Sequence, residues 1–198
     1  MKTMKSNLIS RIAQIIKRAG LAALSLCLLS TVAQAGEPPK VGDKAPDFSL
    51  KSLDGQTVQL GKLTANGKVV LVVLRGWPGY QCPICDQQVH DFIAKQADFA
   101  KARAQLIFVY PGPAADLKAH AEEFKSWKGK VWPAEYLYVL DPDFTMVNSY
   151  SLRWDEPKET AYPSTFILDG KGTVLFAKIS HSHGGRSTAS EILDELKK

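Results

Sequence analysis

The stretch that decides the fold reads Leu74-Arg-Gly-Trp-Pro-Gly-Tyr-Gln-Cys82-Pro-Ile-Cys85-Asp-Gln-Gln-Val89. It ends an apolar strand, continues as a loop rich in Gly, Pro and aromatic residues, and reaches two cysteines where a helix begins. Pro83 suits the first position of that helix, because proline lacks the N–H group that would be unpaired there. Two thiols three residues apart at the start of a helix can act as a redox couple.

The predicted helix over residues 83–101 makes the two thiols unequal. The N-terminus of a helix carries about half a positive charge, which can lower a cysteine pKa from about 8.5 to between about 3.5 and about 7.5. Cys82 falls at the cap, where we expect it nearer to solvent. Cys85 falls on the inward face, whose apolar residues recur at helical spacing: Cys85, Val89, Phe92, Ile93 and Ala100.

The strand before the loop, residues 69–74, is continuously apolar and mostly β-branched. Such a strand is buried on both faces, so we expect it inside a sheet that has helices on both sides. Asp54-Gly55 predicts an N-terminal hairpin. Later segments predict strands at 106–110, 136–140, 163–169 and 174–179, with helices at 114–127, 143–150 and from 188 onwards. The order indicates a parallel βαβ crossover followed by a ββα unit with a hairpin.

Positions 1–35 have the three parts of a secretion signal: a basic region, a short apolar run and Ala33-Gln34-Ala35. We expect cleavage after Ala35, a secreted or periplasmic protein, and one domain over residues 36–198. The five basic residues of this segment account for the whole formal net charge of +5. The remaining chain is therefore neutral, which gives no support for a nucleic-acid or membrane partner.

The cysteine pair is more typical of chemistry than of structural support. A disulfide between Cys82 and Cys85 closes too small a loop to restrict the unfolded chain much. A zinc site needs about four ligands, and only His181 and His183 could add to the pair if the fold brought them close. A module that binds Cu(I) or zinc is therefore the least favoured alternative. No metal or cofactor is expected beyond the redox-active cysteines themselves.

Several motifs follow one another in a characteristic order along the chain: Ala45-Pro-Asp-Phe-Ser-Leu50, Asp54-Gly55, Gly67-Lys-Val-Val-Leu71, the cysteine loop and Thr165-Phe-Ile-Leu-Asp169. This ordered set resembles the redoxin (AhpC/TSA, peroxiredoxin-like) family of the thioredoxin superfamily. The resemblance runs from about Gly42 to the C-terminus. It implies an α/β, thioredoxin-like fold with a central mixed sheet flanked by helices.

Two branches of this resemblance assign the thiols differently. Peroxiredoxins carry the motif Pro-x-x-x-Thr/Ser-x-x-Cys, whose last residue is the peroxidatic cysteine. Pro78 and Cys85 have the spacing of the Pro and Cys of this motif, so Cys85 would be the peroxidatic cysteine. Cys82 then stands where the motif has its Thr or Ser. The family's later arginine is replaced by Pro163, and Arg75 or Arg153 could substitute for it. In exported disulfide reductases, Pro163 would instead be a cis-proline facing the pair, with Cys82 attacking and Cys85 resolving.

On sequence alone we favour an exported thiol-disulfide oxidoreductase that uses dithiol-disulfide exchange at Cys82 and Cys85. The alternative is a peroxiredoxin-like peroxidase. The partner is accordingly a thiol or disulfide protein, or a peroxide. Trp77 and Tyr80 flank the pair and could shape a partner groove.

Overall fold

The computed structural model describes residues 36–198, so the predicted secretion signal at positions 1–35 lies outside the described residues. Within residues 36–198, seven strands form one sheet in the order β2-β1-β5-β4-β3-β6-β7. The strands are β1 Ser49–Ser52, β2 Thr57–Gln59, β3 Val69–Val73, β4 Gln105–Gly112, β5 Leu137–Pro142, β6 Ser164–Leu168 and β7 Val174–Ile179. The α-helices are α1 Leu60–Thr64, α2 Pro83–Ala94, α3 Gln96–Lys101, α4 Leu117–Ser126, α5 Thr145–Ser149 and α6 Ala189–Leu196.

The sheet is mixed, and its pairings match the predicted crossover and hairpins. β3 runs parallel to β4, β4 runs parallel to β5, and β6 runs antiparallel to both β3 and β7. β1 and β2 form the N-terminal hairpin around Asp54-Gly55. The architecture is thioredoxin-like, as the sequence predicted.

Strand β3 explains how the two faces of the sheet are used. All five of its residues are fully buried, and successive side chains point to opposite faces. Val70 and Val72 pack in one core with apolar residues of α2, α3, α4 and α6. Val69, Leu71 and Val73 pack in the other with residues of α1 and α5. The prediction of a strand covered on both faces is therefore confirmed.

Two elements differ from the sequence prediction. The helix α1 lies at Leu60–Thr64, where the sequence analysis predicted no helix. The single helix predicted over 83–101 is two helices, because the backbone of Lys95 leaves the helical region at φ −104° and ψ 16°. The break turns Phe99 into the core and leaves Ala100 exposed, so Ala100 does not belong to the inward face.

The C-terminal helix begins where the sequence predicted it, with residue 188 as its cap. Thr188 is the N-cap of α6, and its hydroxyl accepts a hydrogen bond from the Glu191 N–H at 3.1 Å. Ile192 and Leu196 are buried against the sheet. No helix in the described part of the chain is long and apolar enough to cross a membrane.

Gly76 joins the end of β3 to the cysteine loop in a conformation that needs glycine. Its φ is +73°, and a Cβ atom there would overlap the Pro111 carbonyl oxygen, which also accepts the Trp77 N–H at 2.9 Å. We expect Gly76→Ala to lower the free energy of unfolding by at least about 2 kcal/mol, through backbone strain and the steric overlap. Chemical denaturation measures this change.

Gly79→Ala is the matched control for Gly76→Ala. Gly79 also has a positive φ, +107°, but a Cβ atom there meets nothing within 4 Å. Its replacement therefore carries the backbone cost alone, about 1 kcal/mol. Equal losses in the two variants would show that the approach to Pro111 has no energetic effect.

Candidate active site

The cysteine pair lies at the carboxyl end of β3, at the edge of an α/β sheet where sites usually form. Cys82 is the N-cap of α2, with φ −82° and ψ 110°, and Pro83 takes the first helical position. The Cys85 N–H donates a hydrogen bond to Cys82 Sγ at 3.2 Å. The loop before the cap is fixed by Gln81, which accepts from the Tyr110 hydroxyl at 3.0 Å and donates to the His120 carbonyl at 2.9 Å. The predicted cap position of Cys82 is confirmed.

Both sulfurs are thiols in the structure, and both are closed off from solvent. Cys82 is 2% exposed and Cys85 is 1% exposed. Cys82 was expected nearer to solvent than Cys85, and the difference in exposed fraction is small, because both residues are almost fully buried. Only a small molecule, or a change in the surrounding loops, can bring a substrate to either sulfur.

The two thiols have opposite pKa shifts. The pKa of Cys82 falls to about 5, chiefly because the Cys85 thiol donates a hydrogen bond to its sulfur, with a further contribution from the Arg186 charge. The pKa of Cys85 is raised well above its usual value, first by burial and then by that same hydrogen bond. These opposite shifts favour a thiolate on Cys82 and a protonated thiol on Cys85 at neutral pH.

Arg186 is the positive group that contacts the pair. Its Nη1 donates to Cys85 Sγ at 3.2 Å and to Gln88 Oε1 at 3.2 Å, and its Nη2 lies 3.8 Å from Cys82 Sγ. The guanidinium is thus shared between both sulfurs. Sequence reasoning missed this residue. In this part of the chain it considered only His181 and His183, as possible metal ligands, and no local spacing shows that Arg186 reaches α2.

Arg75 is buried beside the site, but its guanidinium donates its hydrogen bonds to groups other than the two sulfurs. It donates from Nε to Glu159 at 2.5 Å, from Nη1 to the Tyr80 hydroxyl at 2.8 Å and from Nη2 to the Lys158 carbonyl at 2.8 Å. Its charge also lowers the pKa of Cys82, less than Arg186 does. Arg75 is therefore a supporting charge, and Tyr80 anchors it while remaining 43% exposed.

Arg153 does not take the place of the missing family arginine. It donates to the carbonyl oxygens of Trp154, Glu159 and Thr160, and its guanidinium lies over the Phe144 ring at 4.1 Å. These bonds shape the segment that carries Glu159.

Pro163 and Trp77 also have positions that the sequence did not predict. Every peptide bond in residues 36–198 is trans, including the bond before Pro163, so the prediction of a cis-proline facing the thiols is wrong. The Pro163 carbonyl instead accepts from the Ser180 N–H at 2.9 Å, at the base of the loop that carries Arg186. Trp77 stacks on His120 with ring centres 3.6 Å apart, and both it and Pro78 are half-buried in the loop.

A buried ion pair follows the second cysteine directly. Asp86 accepts from Lys130, whose side chain is fully buried, and lies 3.1 Å from Lys128 Nζ. Lys130 also donates to the Trp127 carbonyl at 3.0 Å, and burial lowers its pKa. No sequence pattern indicated this ion pair, because Lys130 lies in a loop and its burial depends on α4.

The described residues do not supply the ligands that a metal site needs. Within residues 36–198 there is no group of three or more His, Cys, Asp or Glu side chains able to hold a metal ion. His181 packs against the Tyr162 ring, and His183 pairs with Glu159. The fold therefore does not bring the two histidines and the thiols into one donor set.

The fold and the thiol pair at the helix cap define a thioredoxin-like thiol oxidoreductase. The profile of the AhpC/TSA family matches residues 41–177, and the chain belongs to that family. The sequence resemblance is thus confirmed.

Individual relatives in the comparison are peroxiredoxins. Peroxiredoxin Bcp of Bacillus subtilis (strain 168) is 26% identical over 142 residues, which cover 69% of this chain and 82% of the relative. Chloroplastic peroxiredoxin Q of Triticum aestivum is 30% identical over 139 residues, covering 68% of this chain and 57% of the relative.

Solved structures show the same fold at low sequence identity. Peroxidoxin BcpB from Mycobacterium tuberculosis superposes with a TM-score of 0.61 at 23% identity, over 80% of this chain and 97% of that one. AhpC of Mycobacterium tuberculosis gives a TM-score of 0.64 at 15% identity, over 81% and 92%.

Proposed function

We propose that this protein is a thiol-dependent peroxidase that reduces a small peroxide at Cys82 and Cys85. The observation that carries the proposal is a buried pair of sulfurs that both lie within hydrogen-bond distance of one guanidinium, that of Arg186. Membership of the AhpC/TSA family and the peroxiredoxin relatives support the same assignment. This reading replaces the preference for disulfide exchange that the sequence alone favoured.

Access to the sulfurs favours a peroxide over a protein disulfide. A partner disulfide has to bring its own sulfur into line with an attacking thiolate, which requires an exposed nucleophile. A peroxide needs an opening only a little larger than a water molecule. Cys82 is only 2% exposed, so the resting site admits a small peroxide far more easily than it admits the disulfide of a protein partner.

The chemistry proceeds in two balanced steps. A Cys82 thiolate attacks one peroxide oxygen and the O–O bond breaks, giving a sulfenic acid on Cys82 and an alkoxide or hydroxide that takes a proton. The Cys85 sulfur then attacks Cys82 Sγ, an S–S bond forms, and water leaves with the sulfenic oxygen. An external dithiol, oxidised in turn to its disulfide, returns the pair to thiols. No other cofactor is involved in the proposal.

Cys82 is proposed as the attacking sulfur because it carries the negative charge in the resting pair. The register with the peroxiredoxin motif favours Cys85 instead, and Arg186 lies nearer to Cys85 than to Cys82. A thiolate is the nucleophile and a thiol is not. For this reason we assign the attacking sulfur from the protonation of the two cysteines and not from the alignment with the peroxiredoxin motif.

A comparison of oxidants tests the proposed function. Reduced protein is mixed with hydrogen peroxide, with an organic hydroperoxide or with an oxidised dithiol protein, and thiol loss is followed by stopped flow. The peroxides are expected to react at least about 10²-fold faster at equal concentration, because the closed site excludes the larger oxidant. Faster reaction with the protein disulfide would restore the disulfide-exchange reading.

The pH dependence of peroxide reduction follows from the Cys82 thiolate. The pKa of Cys82 is lowered to about 5, so the thiolate is present above that pH and is protonated below it. The initial rate is expected to be level near neutral pH and to fall as the pH is lowered through about 5. A rate that instead rises with a midpoint near the ordinary thiol value of about 8.5 would contradict the assignment.

Export is a further part of the proposal. It is supported by the basic region, the apolar run and Ala33-Gln34-Ala35 in the sequence. N-terminal sequencing of the protein recovered from cells is expected to begin at Gly36. A protein that keeps residues 1–35 would rule out a cleaved signal.

A further inference from the structure

Arg186 reaches the thiols from a loop, residues 180–186, that we name the arginine loop. The loop follows β7 and begins where the Ser180 N–H donates to the Pro163 carbonyl. Its interior is held by the Ser180 hydroxyl, which donates to the carbonyl oxygens of Ser182 and Gly184. A guanidinium on such a loop needs fixed partners if it is to stay between two sulfurs.

One partner of Arg186 lies in the loop itself. The Arg186 Nε donates to the His183 carbonyl at 2.9 Å, which leaves the two Nη groups free to face Cys85 and Cys82. The position of the His183 backbone therefore sets the direction of the guanidinium. On the helix side, Gln88 accepts from Nη1 and donates to the Ser187 carbonyl at 3.2 Å.

The His183 side chain ties the loop to the segment before β6. Its Nε2 lies 2.8 Å from Glu159 Oε1. A carboxylate only accepts hydrogen bonds, so this nitrogen carries the proton and donates. The other oxygen of Glu159 accepts from Arg75 Nε, and the Glu159 side chain is only 10% exposed. One buried carboxylate thus joins the arginine loop to the charged residue at the end of β3.

We propose that His183 is a positioning residue, which acts through its hydrogen bond to Glu159 to hold Arg186 between the two thiols. The imidazole contacts neither sulfur, so its effect passes through the loop backbone. The inference concerns the same site as the proposed peroxidase activity and rests on its chemistry. Its test measures the ionisation of the thiols in the absence of peroxide turnover. Failure of the proposed role of His183 is therefore distinguishable from failure of the proposed peroxidase activity.

The hydrogen bond and the ring packing of His183 can be separated by substitution. The imidazole packs near the Trp154 ring, with centres 5.3 Å apart. His183→Phe keeps an aromatic ring there and removes the N–H group. His183→Gln loses the ring and keeps an N–H donor able to reach Glu159. His181→Phe is the control within the loop, because His181 packs on Tyr162 instead.

The experiment measures the thiolate ultraviolet absorbance of the full chain between about pH 4 and pH 8, below the ionisation of tyrosine. All variants carry Cys27→Ser, which leaves Cys82 and Cys85 as the only thiols. His183→Phe is expected to raise the thiolate midpoint by about one pH unit, because a displaced positive charge stabilises the thiolate less. His183→Gln and His181→Phe are expected to stay within a few tenths of the parent.

A double-mutant cycle with Arg186→Gln completes the test. If His183 acts through Arg186, His183→Phe adds no further shift once Arg186 is gone. An unchanged midpoint in His183→Phe, or an equal shift in the Arg186→Gln background, would overturn the proposal. His183 is 45% exposed at its side chain, so the variants are expected to fold. If His183→Phe does not fold, the same criteria apply to His183→Ala.

Discussion

Replacement of Cys82 by serine is expected to lower the peroxide reduction rate below about one-thousandth of the wild-type value, because the nucleophile is removed. Cys85→Ser is expected to behave differently. Its Cys82 can still attack peroxide once, after which the sulfenic acid has no resolving thiol and turnover with a dithiol reductant is slow. Stopped-flow peroxide consumption, with and without the reductant, measures both results.

The trapped intermediate identifies the attacking sulfur in that pair of variants. Dimedone reacts with sulfenic acids, and peptide mass spectrometry of peroxide-treated Cys85→Ser is expected to find the adduct on Cys82. The two variants are matched controls for each other, since each removes one sulfur from the same buried pair. A peroxide-reactive Cys82→Ser with its adduct on Cys85 would show that the peroxiredoxin register, and not the resting charge, assigns the nucleophile.

Replacement of Arg186 is expected to have the second large effect, on both the thiolate midpoint and the rate of peroxide reduction. Arg186→Gln removes the charge that lies 3.2 Å from Cys85 Sγ and 3.8 Å from Cys82 Sγ. The thiolate midpoint is expected to rise by about 1 to 3 pH units. The peroxide rate at neutral pH is expected to fall by about 10²-fold or more, since a peroxide attacked at Cys82 would also lose this guanidinium as a hydrogen-bond donor. Absorbance titration and stopped flow measure the two changes.

Arg103→Gln is the charge-matched control for Arg186→Gln. Arg103 is exposed and precedes β4, at the opposite end of the sheet from the cysteine loop. Its loss changes the net charge equally and is expected to leave both the midpoint and the rate unchanged. An Arg186→Gln protein that matches Arg103→Gln would remove Arg186 from the proposed mechanism.

Local sequence signals predicted the elements that carry the thiols. The β-branched run of β3 reports burial on both faces directly, and the Cys-Pro dipeptide places Cys82 at the helix cap. The predicted start of α6 at residue 188 is also a local feature, since its cap is a bond between neighbours in sequence, Thr188 and Glu191. Even so, the break at Lys95 escaped detection, because it serves the packing of Phe99.

The residues that surround the thiols could not be predicted in this way. Arg186 lies 101 positions from Cys85 along the chain, and its approach depends on the β6-β7 hairpin and the loop that follows. The sequence does not distinguish among the three arginines Arg75, Arg153 and Arg186, and only tertiary contacts show which one faces the sulfurs. The burial of Cys82 likewise depends on tertiary packing in the core, about which a helix pattern carries no information.

The most direct measurement is a titration of the reduced protein with one equivalent of hydrogen peroxide, followed by peptide mapping. One peroxide is expected to consume both thiols and to leave a single product, the Cys82–Cys85 disulfide, with the mass of the chain lower by two hydrogens. Persistence of both free thiols would contradict the proposed peroxidase function, and so would oxidation that stops at sulfinic acid on either sulfur with no disulfide formed.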